Sequence, residues 1–521
     1  MDDGIIEGFI KTNPIQGRLK FSNVTTDILS LIDESYGENI RGNIFGEVSI
    51  GQDLNPDDIS LDITLKNGEV AHQQFDDFFI STLYRDGILH LEELTLTDGE
   101  KTGFQVMGTF PVASDSSQST MVDVQSSFKN IDMTFFTQFS PRWEPLLFGN
   151  FTGNYTMGGT TQKTKIGLNG TIENAYYGRI PLGTVKGEAQ YANKKLTISR
   201  FSSDWEGNHI TGKAELPIDY DIASPNTRKW HPNGNLDVET EGTFHSAVFL
   251  SEYMAETDSI TGDIQIVLSI DGPPDRLMRN GHITIDNGAI YTVLMDEPIR
   301  HLQSKGTLVD NHMDIKRFHG ALYDTHRKER PDSNLTINGS IDFTKFFEPR
   351  YDLHAMGDDI FFRSLNREIE GYGDIDVTMI GKDTLEIAGT IAARNGAIYM
   401  EFTDDEMVAS SEEKGRTTTN YNIRFPIEES FSIRNSQIDA AIAGELAMAK
   451  QFEGDWNYSG EIEFQEGEIY YYLGDVFKNL QGTMTMDGQG FNPFLELNLS
   501  LIHISEPTSL LSIWYCGVWV K

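Results

Sequence analysis

Apolar and polar residues alternate with a period of two along most of the chain. Ile59, Leu61, Ile63 and Leu65 in "ISLDITLKNG" show the pattern, and "ILHLEELTLTDG" and "KLTISRF" repeat it. A period of two is strand spacing with one face buried. Seven Asn-Gly pairs, at Asn67, Asn169, Asn233, Asn280, Asn287, Asn338 and Asn395, punctuate these runs together with several Asp-Gly pairs. Asn-Gly supplies the positive φ angles of tight hairpin turns, so the chain reads as a long succession of antiparallel strands.

A short phrase recurs: glycine, a small polar or acidic residue, then alternating apolar positions. It starts at Gly46, Gly153, Gly262, Gly373 and Gly444, at spacings of 107, 109, 111 and 71. A second phrase follows each start and reaches Gly68, Gly178, Gly288, Gly396 and Gly467, at offsets of 22, 25, 26, 23 and 23. The last three units share G-x-I-x(4)-G-[AE]-I-Y from Gly281, Gly389 and Gly460. This predicts a strand, a turn glycine and a returning strand that opens on Ile290, Ile398 or Ile469. Those three isoleucines are candidates for a groove-facing apolar surface, its side unassigned. Convergent hairpin chemistry is the plain alternative, but the constancy of the offsets argues against it.

Three segments break the alternation with helical spacing: "TTDILSLIDESYG", "DMTFFTQFSPRWEPLL" and "HSAVFLSEYMAETD". Thr25 or Thr26 and Asp132 are the expected caps, and Pro141 and Pro145 keep the second piece short. Polar stretches such as "THRKERPDSN" read as surface loops. Units of this kind cannot each bury a core, so they are expected to stack into an elongated body on the order of 100 Å long at ~4.8 Å per strand.

Composition narrows the partners. The chain has 521 residues, 48 glycines, 38% hydrophobic content and a formal charge of -38. That acidity argues against nucleic acid, whose phosphates call for clustered Lys and Arg. Cys516 is the lone cysteine, which rules out an intrachain disulfide framework. The start, "MDDGIIEGFIKTNPIQG", lacks a signal-peptide pattern, and no window reaches the roughly 20 apolar residues that span a bilayer.

No catalytic phrase, cofactor motif or metal-ligand pattern is found. His312 and His319 suit no ligand pair and read as solvated strand and turn residues. The acidic pairs Asp404 with Asp405 and Glu412 with Glu413 do not fit a calcium-loop rhythm and read as charged loop tips. What remains is many strands with one apolar face and few helices to cover it. Such strands close on themselves, pair into a sandwich, or curl into a trough able to hold acyl chains, each buried CH2 contributing about 0.8 kcal/mol.

The stretch from Gly444 to Leu497, with its Gly-x-Ile strands, its Gly-x-Ile-Tyr return, the Phe477 segment leading to "GTMTM", and Pro493 before a closing strand, resembles the C-terminal region of the TamB family. Upstream repeats such as "TGDIQIVLSIDGPPDRLMRNGHITIDNGAIY" resemble earlier TamB or AsmA-like units. The resemblance implies an all-β, elongated, repeat-built antiparallel structure curled into a hydrophobic groove, with a few short helices. It implies a non-enzymatic protein of the bacterial cell envelope, periplasmic, carried by an N-terminal inner-membrane anchor that this sequence lacks. It further implies docking to an Omp85-class outer-membrane barrel, passage of phospholipid acyl chains between membranes, and assistance to outer-membrane protein assembly. A secreted β-helical adhesin and a β-helical polysaccharide-cleaving enzyme are the alternatives. The first would show uniform rungs of about 20 to 30 residues; the second would show converging carboxylates.

The expected organisation is an incomplete repeat end (1–37), TamB/AsmA-like repeats (38–254), TamB C-terminal-type repeats (255–498) and a tail (499–521). In that tail "LSLIHISEPT" resembles a translated transposase adapter from sequencing-library preparation. Cys516, Trp514 and Trp519 are therefore expected to carry no function.

Overall fold

The computed structural model describes residues 4–520 except 13–14, 32–39, 52–57, 71–72, 113–119, 138–146, 179, 220–228, 232–233, 248–256, 294, 328–330, 346–347, 365, 400–417, 453, 471–475, 489–492 and 502–514. The fold is all-β with only short helical pieces, as the alternation requires. The chain forms two compact units, Met1–Glu241 with Ser269–Leu277 and Gly242–Leu268 with Met278–Lys521.

In the first unit every strand from Ile5–Thr12 to Asn208–Leu216 pairs antiparallel with the next in sequence. Tight turns at Asp86-Gly87, Asn193-Lys194 and Glu206-Gly207 carry two successive positive φ angles, which match the right-handed twist of the flanking strands. In the second unit the strands from Met278–Thr292 to Tyr515–Val520 likewise pair in sequence order. One junction differs: Thr384–Ile398 and Thr418–Arg434 run parallel.

The structure corrects the reading of the Asn-Gly pairs as turns. Asn67, Asn169, Asn280, Asn287, Asn338 and Asn395 all lie inside strands; Asn233 lies outside the described residues. Asn67, at φ 49°, sits where Arg41 pairs with Glu69 and Asn43 with Lys66, so Asn67 and Gly68 together oppose Gly42. That is a β-bulge, which bends a strand instead of reversing it. Gly68 is required there by close approach: a Cβ would stand 1.9 Å from the Arg41 carbonyl oxygen. Gly288, Gly396 and Gly467 are also in-strand residues beside bulges, each closely approached by a neighbour. Only Gly178 occupies a turn, between Lys163–Tyr177 and Ile180–Ala192.

The same bend recurs where an Asn or Asp takes the left-handed conformation within a strand, at Asn23, Asn130, Asn174, Asp359 and Asn479. Each lies at a register shift of its ladder. Short polar side chains tolerate this conformation best among residues that have a Cβ.

The bends explain where the core sits. A single antiparallel layer leaves both faces open, so side chains at 0–8% exposure require each ladder to fold back on itself. In the first unit Val70 and Phe75, beyond the Asn67 bulge, join Leu65, Phe78, Leu96 and Phe104 before it. The helix Met133–Thr137 adds Phe135 and Phe136. Its Thr134 N–H donates to Asp132 Oδ1 at 2.8 Å, the expected cap. The first helical segment is a 3-10 turn, Thr26–Leu31, and most of the third lies outside the described residues. In the second unit a core of Ile433, Ile442, Ile462, Phe464 and Leu480 plays the same part. Among the described residues no helix is long and apolar enough to cross a membrane.

Candidate functional site

Registers turn the alternation into two chemically distinct faces. In the first unit Ile63 pairs with Ile80, Ile80 with Leu94 and Leu94 with Val106, forming an apolar row across four strands. Further along the same ladder the row passes through the polar Ser126 and continues through Tyr155, Leu168, Ala189 and Ile198. The opposite face carries Gln105, Ser127, Asn154, Asn169, Glu188 and Arg200 in matching register. The row beside the bend is fully buried, whereas this one is half-buried and Leu168 is 41% exposed. The fold therefore leaves an apolar strip, several strands long, that no element of its unit covers completely. This half-buried strip, with Leu168 its exposed member, is the candidate binding surface.

The second unit repeats the design. Ile337, Ala355 and Val377 pair in sequence, and the row continues through Gly389 to Ile423 and Met448. Glycine in this row follows from backbone as well as space: Gly389 has φ +150°, and a Cβ there would lie 2.2 Å from the Asp376 oxygen. The hydroxyls of Tyr351 and Tyr458 on this side are pushed up in pKa by burial, so they stay neutral and add no charge to the face.

Of the three isoleucines singled out by the repeat, Ile398 and Ile469 pack partly buried against the second core cluster. Ile290 is half-buried and pairs with Ile299. The structure brings Ile398 and Ile469 to one core and assigns them to its inner side. Pattern reading missed the half-exposed row in the first unit; the period-two registers of Ile63, Ile80 and Leu94 were the available signal.

Several acidic groups on the second unit are held by arginines. Arg363 lies 3.0 Å from Glu370 and 3.8 Å from both Asp296 and Glu297. Arg300 also pairs with Glu297, at 3.1 Å, and Thr325 donates to that carboxylate. These contacts tie the segment around Glu297 to neighbouring strand ends, a structural use of charge. His312 and His319 point to different partners, Asp314 and Thr336, and both are strand residues. Among the described residues no group of His, Cys, Asp and Glu could hold a metal. Asp404, Asp405, Glu412 and Glu413 lie outside the described residues.

The fold and the face define a class: a repeat-built β protein that offers an extended apolar surface. Residues 327–502 match the family model described as TamB C-terminal domain. That region carries a TamB C-terminal domain, which supports a general role of the kind that family has, in biogenesis of the bacterial envelope. The family is one of transport and assembly modules, with no known enzyme activity among its functions. No curated protein matches the chain.

Proposed function

We propose that the half-exposed apolar faces carry phospholipid acyl chains through the periplasm, between inner and outer membranes. The observation that supports this reading is the row from Ile63 to Ile198, apolar on every strand but that of Ser126 and partly open to solvent. Chains laid across the ladder trade water for CH2 and aromatic contacts at about 25 cal/mol per Å². Headgroups stay in water, beside polar strand ends. The same surface can assist outer-membrane protein assembly by shielding the apolar face of an unfolded strand. An Omp85-class barrel in the outer membrane is the proposed docking partner, and an inner-membrane anchor the proposed means of attachment.

The test is to purify the protein from a bacterial envelope without detergent and measure bound phospholipid by mass spectrometry. Stoichiometric phospholipid, exchangeable with labelled vesicles, is expected. Lipid-free protein that takes up none from vesicles would reject the reading.

A further inference from the structure

In the second unit another row lies beside the one from Ile337 to Met448, displaced two residues along each strand. It runs through Gly339, Leu353, Met379, Ile387 and Tyr421, each pairing with the next, and ends on Lys450, the partner of Tyr421. Among the described residues of these two rows Lys450 is the one charged side chain. From Leu353 to Lys450 every member is half-buried, so the row is neither sealed nor fully in water.

An ammonium against an apolar face loses hydration, which is unfavourable unless a partner offsets the loss. Partners are plentiful in a chain with 79 acidic and 41 basic residues. Lys345, Lys382 and Lys478 of the same unit each lie within 3.2 Å of a glutamate. Lys450 has no carboxylate within ion-pair distance among the described residues; its contact is an aromatic ring, with Nζ 5.8 Å from the Trp456 centroid. Trp456 in turn lies 5.4 Å from Tyr421 and 6.4 Å from Tyr458. Tyr458 pairs with Met448, which gathers the three rings at the end of both rows. Tyr and Trp join an apolar body to a polar tip, the combination found where hydrocarbon meets headgroups.

We propose that Lys450 receives the phosphate of a phospholipid whose acyl chain lies along the row from Tyr421 toward Leu353. This rests on the acyl-chain reading above and adds the end of the face at which the headgroup sits. An ammonium brings three donors on a flexible stem, and its stem lies on the apolar face while its head reaches the phosphate. Dimensions agree: from Lys450 to Gly339 there are five strand-to-strand steps. At about 4.8 Å each they span about 24 Å, against about 15 Å for the hydrocarbon of one leaflet. A free phosphate ion shares the charge chemistry but gains nothing from the rings or the row.

The test is competitive uptake by the full chain, with a photo-crosslinking residue at Met379 to confine the readout to this row. Phosphatidylcholine vesicles carry equal traces of labelled phosphatidylglycerol and labelled diacylglycerol with the same acyl chains. The parent should crosslink phosphatidylglycerol in preference. Lys450→Met, which keeps an apolar stem, should lower the ratio of the two about tenfold or more through loss of a charge-assisted hydrogen bond. Diacylglycerol crosslinking and circular dichroism should be unchanged, and Lys450→Arg should keep the parent ratio. A ratio unmoved by Lys450→Met, or equal crosslinking of both lipids by the parent, would overturn the proposal and leave acyl-chain carriage standing. Inorganic phosphate that binds the parent but not Lys450→Met, with no preference between the lipids, would assign the site to a free anion and overturn it as well. Uptake of neither lipid would overturn both readings.

Discussion

Leu168 and Asn169 are neighbours in one strand, on opposite faces of the ladder, and replacing each by aspartate isolates the face as the variable. Both changes add a carboxylate. Leu168 stands on the apolar row, where it pairs with Tyr155 and Ala189, and it is 41% exposed. Full burial of leucine contributes about 1.5–3 kcal/mol, so a chain covering the remaining two-fifths gains roughly 1 kcal/mol there. A carboxylate at that point must also be desolvated by the lipid, which costs several kcal/mol more. With 1.4 kcal/mol per factor of ten, local affinity should fall about a hundredfold or more. Asn169→Asp keeps the acceptor for the Asn154 amide, 3.3 Å away on the polar face, and should change nothing. A photo-crosslinking residue at Ile198, two strands along the apolar row, reports lipid occupancy locally. Leu168→Asp should reduce the lipid crosslink at least tenfold and Asn169→Asp should leave it at the parent level. Equal crosslinking in both variants, with both folded, would refute the assignment of the face. Ile398→Asp is the poorer test, because Ile398 packs on the core and its loss would unfold the neighbourhood.

Other outcomes follow from the packing. Ile442 is 0% exposed at the centre of the second core, so Ile442→Ala should cost about 2–5 kcal/mol in urea unfolding. Gly68→Ala forces a Cβ against the Arg41 carbonyl and should cost about 3 kcal/mol, although replacing glycine by alanine within a strand is ordinarily stabilising. Phe104 and Phe135, with centroids 5.4 Å apart, should show about 0.5–1.5 kcal/mol of coupling in a double-mutant cycle. Asp342 is held below its ordinary 3.8 by hydrogen bonds from the Thr344 hydroxyl and then its N–H. A depressed carboxylate contributes stability above its unfolded value and loses it as pH falls through the folded value. Asp342→Ala should therefore be less stable than the parent at pH 7, with the gap closing in unfolding curves taken below pH 3.8.

Alternation specified the strands, because side-chain direction follows strand period directly, whereas their sequential pairing rests on turn signals and has one parallel exception, Thr384–Ile398 with Thr418–Arg434. The repeat marked the right glycines but assigned them the wrong geometry. At Asn67 and Asn287 the Asn-Gly pair has in a bulge the local geometry it would have in a hairpin, a residue at positive φ followed by one without a Cβ. What separates the two is the partner strand. Asn67 is in a bulge because Arg41 and Asn43 continue opposite it, and that pairing is set by residues more than twenty positions away. Local sequence carries no record of it. Of the real turns, Asp86-Gly87 is one of the Asp-Gly pairs that the sequence offers, whereas Asn193-Lys194 and Glu206-Gly207 are pairs that composition does not single out.

The difference decides how the candidate site arises. Turn glycines would leave flat strands with one apolar face wholly open, a surface prone to aggregate. Bulge glycines bend each strand near one end, so Leu65, Phe78, Leu96 and Phe104 become a sealed core, Ile63, Ile80, Leu94 and Val106 pack half-buried against its margin, and Leu168 further along the row is left exposed. The bend thus divides one apolar face into a part that stabilises the fold and a part left for a ligand. The boundary lies at a fixed distance from each bulge, since moving two residues along a strand moves one apolar position along the face. Shifting a bulge by two residues would convert ligand-facing positions into core. A variant in which Asn67-Gly68 is moved two positions toward Ile63 should therefore gain protection from hydrogen exchange at Ile63 and Ile80 while losing bound lipid. Unchanged lipid with the bulge shown to have moved would separate the bend from the binding surface.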